Sequence, residues 1–488
     1  MHVKPLKILL FFLTVYLILF GISIFFPKEG IVVTRDITLS FPSPSDILST
    51  EKVKYANISQ IINQSTVNNE SLQDSTSFVK EPETDTTRAD VLKLKQNIHE
   101  FAFPDGKESL LYSFFTKLFS LETRETGFTR IMHYGDSQIE GDRITSFLRN
   151  KLQREFGGSG PGLLPALQPY GQFSQIHENS GTWERFTIFG KRDTSIHHKR
   201  YGALASFSRY CNGEEADEPS WLVFRPSPLS YSTAKTYNRC KLFFGYNTSP
   251  LALEVQLNKR TLAADIYEPS STYHFLEWNI AGEPSEMKLK FQTSGCVEVY
   301  GVSLESNTGI TVDNIAMRGS SGLIFTRINR KLLAEMYTEL GVGLFILQFG
   351  GNAVPFMGDQ PITYGDWFKS QLLALKRRAP GVPIIVIGVA DMSVKEKDYY
   401  VTYPNLERVR DAMKNATLGS GCIYWDMYEA MGGKNSMPSW VFADPPLAST
   451  DFVHFNHLGA KIIGEMFYNS LMDEYRKYKD SYLINDKL

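Results

Sequence analysis

The hydrophobic pattern divides the chain into an uncharged N-terminal run, a polar stretch, and two regions of alternating strands and helices that flank a region of short strands. Residues 8–26 form a run of 19 residues without a charge. At about 1.5 Å per residue, a helix of this length approaches the ~30 Å thickness of the bilayer hydrocarbon. Residues 27–90 are rich in Ser, Thr, Asn and Asp and contain few aromatic residues. The pattern predicts a transmembrane anchor at 8–26 and a flexible linker at 27–90.

The charges next to the apolar run predict its orientation. Lys4 and Lys7 precede it, so we expect residues 1–7 to be a cytoplasmic tail and the chain after Pro27 to lie outside the cytoplasm. A cleaved signal peptide is the alternative. The length of the run and the lack of a small-x-small site after it favour an uncleaved anchor.

Regions 91–171 and 311–488 alternate buried-strand patterns with amphipathic-helix patterns. Residues 130–134 are a short, mostly apolar run, and the helical pattern that begins at Asp142 stops at Gly157 and Gly158. Residues 342–349 are long and apolar enough for a strand buried on both faces. Further patterns predict a helix at 364–378, a strand at 383–389, a helix at 405–415, a strand at 422–426 and a C-terminal helix. This alternation predicts an α/β fold with a parallel sheet.

Region 172–310 lacks long amphipathic helices. Gly, Pro, Asn and Ser separate short apolar runs at 221–224, 241–246, 251–257, 274–280, 287–293 and 296–304. This spacing predicts a β-sandwich inserted into the α/β region. The segment is also rich in aromatic residues, which can stack on sugar rings, although packing in the core is their commoner role.

Charge and cysteine spacing limit the partners and the metal sites that the sequence predicts. A formal net charge of -2 gives no reason to expect a nucleic-acid partner. The pair His197-His198 lies among Lys and Arg residues, which predicts a solvated basic loop. The cysteines match no zinc pattern, and their predicted export permits pairing. Cys422 lies at the start of an apolar strand, so we expect it to be a buried thiol. We expect any disulfide to form among the other three cysteines, Cys211, Cys240 and Cys296.

Three short motifs carry candidate chemistry: Gly135-Asp136-Ser137, Gly350-Gly351-Asn352 and the Asp-x-x-His segment 451–454. A serine hydroxyl becomes a good nucleophile when a histidine takes its proton and a carboxylate holds that histidine in the right tautomer. Ser137, His454 and Asp451 would supply these parts. Ser137 would lie at the carboxyl end of a strand, where open α/β sheets bind ligands, and Asp451 and His454 on the loop that leads into the C-terminal helix. Asn352 could donate a hydrogen bond to an oxyanion without carrying charge.

Each motif also has a structural explanation. The Gly-Asp-Ser and Gly-Gly-Asn tripeptides could be ordinary turns, and Asp451 could cap a helix with His454 as a polar neighbour. His457 falls outside the Asp-x-x-His spacing. Some polar neighbours of the motifs are explained equally well by a polar helix start or loop, namely Gln138, Glu140 and Arg318.

In order and residue type, these motifs resemble the blocks of the SGNH, or GDSL-type, hydrolase family. The family's second block is matched by segment 312–321, which makes Gly319 an oxyanion donor by resemblance, beside the N–H of Ser137 and the side chain of Asn352. The resemblance covers residues 130–170 and 311–475. It implies a doubly wound α/β/α sandwich with a parallel sheet. The competing Gly-x-Ser-x-Gly elbow does not occur in the sequence.

The architecture, the anchor and the glycine-rich segment 157–162 are similar to those of bacterial peptidoglycan O-acetylesterases and their acetyltransferase relatives. This resemblance implies an esterase that removes O-acetyl groups from a peptidoglycan-like envelope or extracellular polysaccharide, anchored with its catalytic part in the periplasm or cell envelope. An O-acetyltransferase that uses the same triad and a non-catalytic polysaccharide-binding protein are the alternatives. No metal or other cofactor is expected. The acyl chain, the polymer and the oligomeric state stay open.

Overall fold

The apolar N-terminal run folds as helix α1, Pro5–Phe25. The helix has 21 residues and a mean hydropathy of 2.7 over its most apolar stretch, so it is long and apolar enough to cross a membrane, as an anchor or a signal sequence would be. The predicted apolar N-terminal helix is therefore confirmed. The computed structural model describes residues 5–27, 31–34, 37–39, 41, 43–44, 53–65, 98–124, 126–181, 183–191, 193–212, 219–358 and 360–485. The chain divides into two units, Met1–Lys54 and Tyr55–Leu488.

Helices and strands are numbered separately along the chain. The helices are α1 (Pro5–Phe25), α2 (Ser59–Gln64), α3 (Tyr112–Arg124), α4 (Thr145–Phe156), α5 (Ser232–Lys235), α6 (Arg330–Glu339), α7 (Val354–Met357), α8 (Pro361–Arg378), α9 (Leu406–Leu418), α10 (Met427–Ala430), α11 (Ser436–Val441) and α12 (His457–Asn485). The strands are β1 (Ile31–Thr34), β2 (Ile37–Leu39), β3 (Phe128–Gly135), β4 (Gly162–Leu164), β5 (Gln175–Asn179), β6 (Trp183–Thr187), β7 (Ser206–Cys211), β8 (Ser220–Pro226), β9 (Arg239–Gly245), β10 (Leu251–Leu257), β11 (Arg260–Tyr267), β12 (Tyr273–Asn279), β13 (Met287–Gln292), β14 (Cys296–Glu305), β15 (Gly309–Ala316), β16 (Val342–Gln348), β17 (Ile384–Ile387), β18 (Ser393–Glu396), β19 (Tyr399–Thr402) and β20 (Ile423–Trp425).

A parallel sheet lies at the centre of the second unit, in the order β15-β3-β16-β17-β20. Successive side chains of its strands enter different cores, because neighbours on a strand point to opposite faces. Ile131 packs in a cluster with α3, α4 and α12, whereas Met132 packs in a cluster with α6, α8 and α9. Helices therefore cover both faces of the sheet. The predicted α/β fold with a parallel sheet is confirmed, and each helix and strand predicted between residues 364 and 426 is present.

Between β3 and β15 the chain forms two antiparallel sheets, in the orders β11-β10-β13-β8-β5 and β12-β9-β14-β7-β6, with β4 paired to β14. Both sheets contribute to one hydrophobic cluster, with Leu222, Leu253 and Leu289 from the first sheet and Leu242, Val297 and Val299 from the second. Each run predicted as a strand lies within or largely within a strand. Strand β4 shows that this antiparallel pairing already begins before residue 172, the predicted start of the insertion.

The cysteines behave as the sequence predicts. Cys211 and Cys296 are register partners on β7 and β14 and form a disulfide. Cys240 and Cys422 are buried free thiols. The disulfide among the first three cysteines and the buried thiol of Cys422 are both confirmed.

The histidine pair differs from its prediction. His198 is not a solvated loop residue, because its Nε2 lies 3.0 Å from Glu298 Oε1 in a part-buried network. Arg200 and Arg209 bind the same carboxylate. Glu298 lies on β14, far away in the sequence. The residues next to the histidines therefore give no indication of this contact.

A buried ionic network joins the parallel sheet to the antiparallel sheets. Arg130 on β3 donates to Asp313 on β15 at 2.5 Å and also to Glu305 on β14, and all three side chains are fully buried. Arg239 on β9 donates to Glu305 at 2.7 Å. Because a buried charge is tolerated only when it is paired, these contacts tie the strands that precede the candidate site to the antiparallel region.

Residues 55–65 of the predicted linker belong to the second unit and pack in its core. Within residues 53–65, Ile58 is only 6% exposed and belongs to the core cluster that covers one face of the parallel sheet. Ser439 Oγ donates to the Ala56 carbonyl at 2.6 Å, and Ser65 Oγ donates to Glu465 at 2.7 Å. This segment differs from the flexible linker predicted for 27–90, because its few apolar side chains find a complementary surface far away in the sequence.

Candidate active site

The motif residues lie at one edge of the parallel sheet. Strands β3, β15 and β16 run in the same direction and lead directly into the Ser137, Gly319 and Asn352 loops. At the end of β3, a Cβ on Gly135 would come within 2.9 Å of Ile139 and 3.0 Å of the Gln348 carbonyl, so only glycine fits there. This close approach makes the turn that puts Ser137 just beyond the strand.

A continuous hydrogen-bonded chain links serine, histidine and aspartate. Ser137 Oγ and His454 Nε2 are 2.8 Å apart, and His454 Nδ1 lies 2.7 Å from Asp451 Oδ2. The histidine side chain is 27% exposed and the aspartate side chain 48% exposed, so solvent reaches the dyad. The arrangement can move a proton from the serine hydroxyl to the imidazole.

Asp451 also shapes the loop that carries the histidine. Its Oδ1 accepts the backbone N–H of Val453 at 2.9 Å and that of His454 at 3.0 Å, which leaves Oδ2 for the imidazole. Partial burial raises the pKa of Asp451, but the hydrogen bonds from His454 and the two backbone donors outweigh it, so the pKa lies below its ordinary value. Between these residues Phe452 has a φ of 57° and stacks on Tyr400 with ring centroids 3.5 Å apart.

The predicted oxyanion donors stand around Ser137. Gly319 is exposed, and its φ of 76° lies in the left-handed region that favours glycine. Within the described part of the chain, neither the N–H of Ser137 nor that of Gly319 has a protein acceptor. Asn352 Nδ2 donates to Asp136 Oδ2 at 3.3 Å and to the Ser320 carbonyl at 3.2 Å. This amide therefore bridges the loops of Ser137 and Gly319.

Asp136 is a site residue to which the motif alone assigned no role. The carboxylate is 3% exposed and accepts the Gln138 N–H at 3.0 Å as well as the Asn352 amide. Burial raises its pKa to about 6, although the hydrogen bonds from Gln138 and Asn352 and the nearby His454 oppose this shift. A burial signal of this kind depends on the folded packing and cannot be seen in a Gly-Asp-Ser tripeptide.

Other histidines near the motifs stand apart from the dyad. His133 is fully buried on β3 between Gln348 and Thr145, and burial lowers its pKa to about 4. His457, the neighbour excluded by spacing, stacks on Phe173 with centroids 4.8 Å apart. Among the residues that the structure describes, no group of His, Cys, Asp and Glu is arranged to hold a metal ion.

Comparison with models of protein families and with curated protein sequences finds no match. Among solved structures, the chain is similar to a peptidoglycan O-acetylesterase, with a TM-score of 0.63, 19% identity, and coverage of 77% of this chain and 99% of that chain. This likeness shows that the chain shares the fold of that esterase, whose class is one that the sequence resembles.

Two further structural matches have much lower scores. A family two carbohydrate esterase from Cellvibrio japonicus has a TM-score of 0.24 and 8% identity, with coverage of 62% of this chain and 98% of that chain. Axe2, an acetylxylan esterase from Geobacillus stearothermophilus, has a TM-score of 0.26 and 18% identity, with coverage of 34% and 73%. By their descriptions, these two proteins are also esterases.

Proposed function

We propose that this chain is a serine esterase of SGNH type that removes O-acetyl groups from envelope or extracellular polysaccharide. The observation that carries the proposal is the hydrogen-bonded chain from Ser137 through His454 to Asp451. In this proposal Ser137 is the nucleophile, His454 is the general base and acid, and Asp451 holds the imidazole in the productive tautomer.

The reaction would run through an acetyl-enzyme. Ser137 Oγ attacks the acetyl carbonyl carbon while its proton passes to His454 Nε2. When the tetrahedral intermediate collapses, the carbon–oxygen bond to the sugar breaks and His454 returns the proton to the sugar oxygen. Water then attacks the acetyl-serine, gives a proton to His454 and releases acetate, and the proton goes back to Ser137.

We propose that the N–H groups of Ser137 and Gly319 and the Asn352 amide stabilise the oxyanion. The two backbone donors are aimed at no protein acceptor in the described structure. The hydrogen bonds of Asn352 at 3.3 and 3.2 Å are long for N–H···O bonds, so redirecting one of them to an oxyanion costs little. Removal of one such donor typically raises the barrier by about 3 kcal/mol.

The substrate class rests on architecture and on the fold neighbour. The likeness to a peptidoglycan O-acetylesterase covers 77% of this chain and 99% of that chain. We further propose that the two antiparallel sheets form a β-sandwich, residues 172–310, inserted between the two parts of the α/β domain, residues 91–171 and 311–488. Before them would come a cytoplasmic tail at 1–7, the anchor at 8–26 and a linker at 27–90. Helix α1 would anchor the protein with the catalytic part outside the cytoplasm.

Solvent access at the dyad favours hydrolysis over transfer. With side-chain exposures of 27% for His454 and 48% for Asp451, water can reach the base that would activate it at the acetyl-enzyme. An O-acetyltransferase would use the same residues but would have to keep water from this position. The esterase is therefore the function that the geometry supports best.

The proposal is tested by turnover of p-nitrophenyl acetate, butyrate and octanoate, with acetate release from O-acetylated peptidoglycan and xylan followed in parallel. The protein should comprise residues 53–488, because residues 55–65 belong to the second unit and pack in its core. Ser137→Ala should lose at least about 10³-fold in kcat, whereas Ser370→Ala, a surface control on α8, should keep full activity. Acetylation of an added sugar acceptor that outruns hydrolysis would favour the transferase. Absence of Ser137-dependent turnover on every donor would refute both.

A further inference from the structure

The nucleophile loop holds both carbonyl groups that flank the histidine. Ser137 and His454 are 317 positions apart in the chain, so their 2.8 Å contact depends on how two separate loops meet. Gln138 Nε2 donates to the Val453 carbonyl at 2.6 Å, on one side of His454. Arg143 Nη1 donates to the Phe455 carbonyl at 3.0 Å, on the other side. The histidine loop is thus bound at two points by side chains that follow Ser137 in the sequence.

Arg143 also binds the nucleophile residue itself. Its Nη2 donates to the carbonyl of Ser137, and its Nε donates to the Glu140 carbonyl at 3.0 Å. The planar guanidinium has donors in a rigid fork, so one side chain can set the separation between the Ser137 peptide and the Phe455 peptide. A lysine at this position keeps the charge but lacks the fork.

Apart from the contact between His454 and Ser137 Oγ itself, the other hydrogen bonds of the histidine loop do not reach the loop of Ser137. The N–H groups of Val453 and His454 bind Asp451, and the Ser449 N–H binds the His454 carbonyl at 2.8 Å. These contacts give the loop its shape. The Ser393 N–H binds the Phe452 carbonyl at 3.0 Å and attaches the loop to β18, while Gln138 and Arg143 attach it to the loop of Ser137.

We propose that Gln138 and Arg143 are positioning residues that hold His454 in line with Ser137, an inference that rests on the proposed esterase function. Displacement of a reacting group by about 1 Å can cost 10²-fold in rate. Loss of either side chain should therefore lower kcat while substrate binding stays nearly unchanged. Neither residue touches the reacting atoms, and both act through the backbone on either side of His454.

The chain offers matched controls for both residues. Gln153 Nε2 donates to the Gly160 carbonyl at 3.0 Å, a bond of the same kind as that of Gln138. Arg378 donates to the carbonyl of Ala374 on its own helix at 2.8 Å and to that of Ile328 at 3.3 Å, so its guanidinium also binds two backbone carbonyls. Both controls lie outside the candidate site, so their loss reports the general effect of removing such bonds on stability.

The experiment compares Gln138→Leu and Arg143→Lys with Gln153→Leu and Arg378→Lys in residues 53–488, by kcat and KM on p-nitrophenyl acetate and by the melting temperature. We expect the site variants to lose about 10- to 100-fold in kcat, with KM within about twofold and melting temperatures comparable to those of the controls. Unchanged kcat would overturn the proposal. A loss of kcat that follows the loss of stability equally in all four variants would also overturn it.

A pH signature separates positioning from a general structural role. In Gln138→Glu, an ionised carboxylate would face the Val453 carbonyl and repel it, whereas a protonated carboxyl group could donate to it. The kcat of Gln138→Glu relative to that of the unchanged protein should therefore rise as the pH falls from 8 toward 5. A ratio that is flat or falls toward acid pH would contradict the inference.

A crystal structure of the Gln138→Leu, Arg143→Lys double variant gives a readout that does not depend on activity. The distance from Ser137 Oγ to His454 Nε2 should exceed hydrogen-bond range if the two residues position the loop. An unchanged distance of 2.8 Å would overturn the inference, even if the esterase proposal holds. Conversely, lack of Ser137-dependent turnover in the unchanged protein would refute the proposed function, and the distance would still decide the role of the two side chains.

Discussion

Replacement of Asp451 separates two tasks of its carboxylate. One oxygen accepts the backbone N–H groups of Val453 and His454, and the other accepts the imidazole Nδ1–H. In Asp451→Asn, the amide oxygen can keep the two backbone bonds, so the amide NH₂ group then faces the imidazole. Because the NH₂ group is a donor, His454 Nδ1 must be unprotonated to accept from it, and the imidazole proton then lies on Nε2. In this tautomer Nε2 cannot accept the proton of Ser137.

The magnitude follows from the exposure of the pair. Two unit charges about 4 Å apart attract by ~1 kcal/mol in water and by ~4 kcal/mol at an effective dielectric constant of 20. The Asp451 side chain is 48% exposed, so its stabilisation of the imidazolium should lie between these limits, near ~2 kcal/mol. Asp451→Ala removes this attraction and should lower kcat by about 30-fold. Asp451→Asn also holds His454 in the unproductive tautomer, so it should lower kcat by at least about tenfold more than Asp451→Ala does.

The assay is kcat on p-nitrophenyl acetate for Asp451→Asn, Asp451→Ala and the unchanged protein, with melting temperatures recorded beside it. The order of activity should be aspartate, then alanine, then asparagine. An asparagine variant as active as the alanine variant, or more active, would show that the asparagine does not hold His454 in the unproductive tautomer. Activity of both variants within threefold of the unchanged protein would refute the role of the carboxylate.

Three further changes test other parts of the structure. Lowering the pH through about 6 should protonate the buried Asp136, whose raised pKa keeps it ionised only above that value, and so weaken the hydrogen bond that it accepts from the Asn352 amide. The acid limb of kcat/KM against pH should be shallower in Asp136→Asn, which cannot titrate, and an equally steep limb would contradict this role. Arg130→Met leaves the buried Asp313 without its ion-pair partner, whereas Glu305 keeps Arg239. The change should lower the free energy of unfolding by about 3–5 kcal/mol in urea titrations, and a change below ~1 kcal/mol would count against the ionic network. Residues 66–488 should be less stable than residues 53–488 by about 2 kcal/mol, from the lost burial of Ile58, and equal midpoints in urea would show that the segment adds nothing.

The parallel sheet could be predicted because its strands leave a strong local pattern. Residues 342–349 and 383–389 are apolar on both faces, and amphipathic helices with clear turn residues separate them. Strand β11 shows the opposite case, since most of its side chains are exposed and its sequence has no buried alternation. Likewise, the core position of Ile58 depends on a surface made by distant residues, and local composition alone predicts a linker there.

The contact among Ser137, His454 and Asp451 could be predicted because these residue types, in these motifs, suit one chemistry. The three-residue spacing lets Asp451 and His454 share one loop, and Gly135 allows the tight turn that precedes Ser137. The contacts of Gln138 and Arg143 leave no such pattern, because they bind backbone carbonyls, which every residue possesses. Asp136 was visible only as part of a motif, since its raised pKa arises from burial in the folded protein.

Direct detection of the acetyl-enzyme would decide whether Ser137 is the nucleophile. The protein is mixed with p-nitrophenyl acetate, quenched in acid during turnover and digested. The masses of the peptides are then measured by mass spectrometry. We expect one added acetyl group on the peptide that contains Ser137, and none on that peptide in Ser137→Ala. Ester hydrolysis without acetylation of Ser137, or with acetylation of a different residue as the turnover intermediate, would contradict the proposed mechanism.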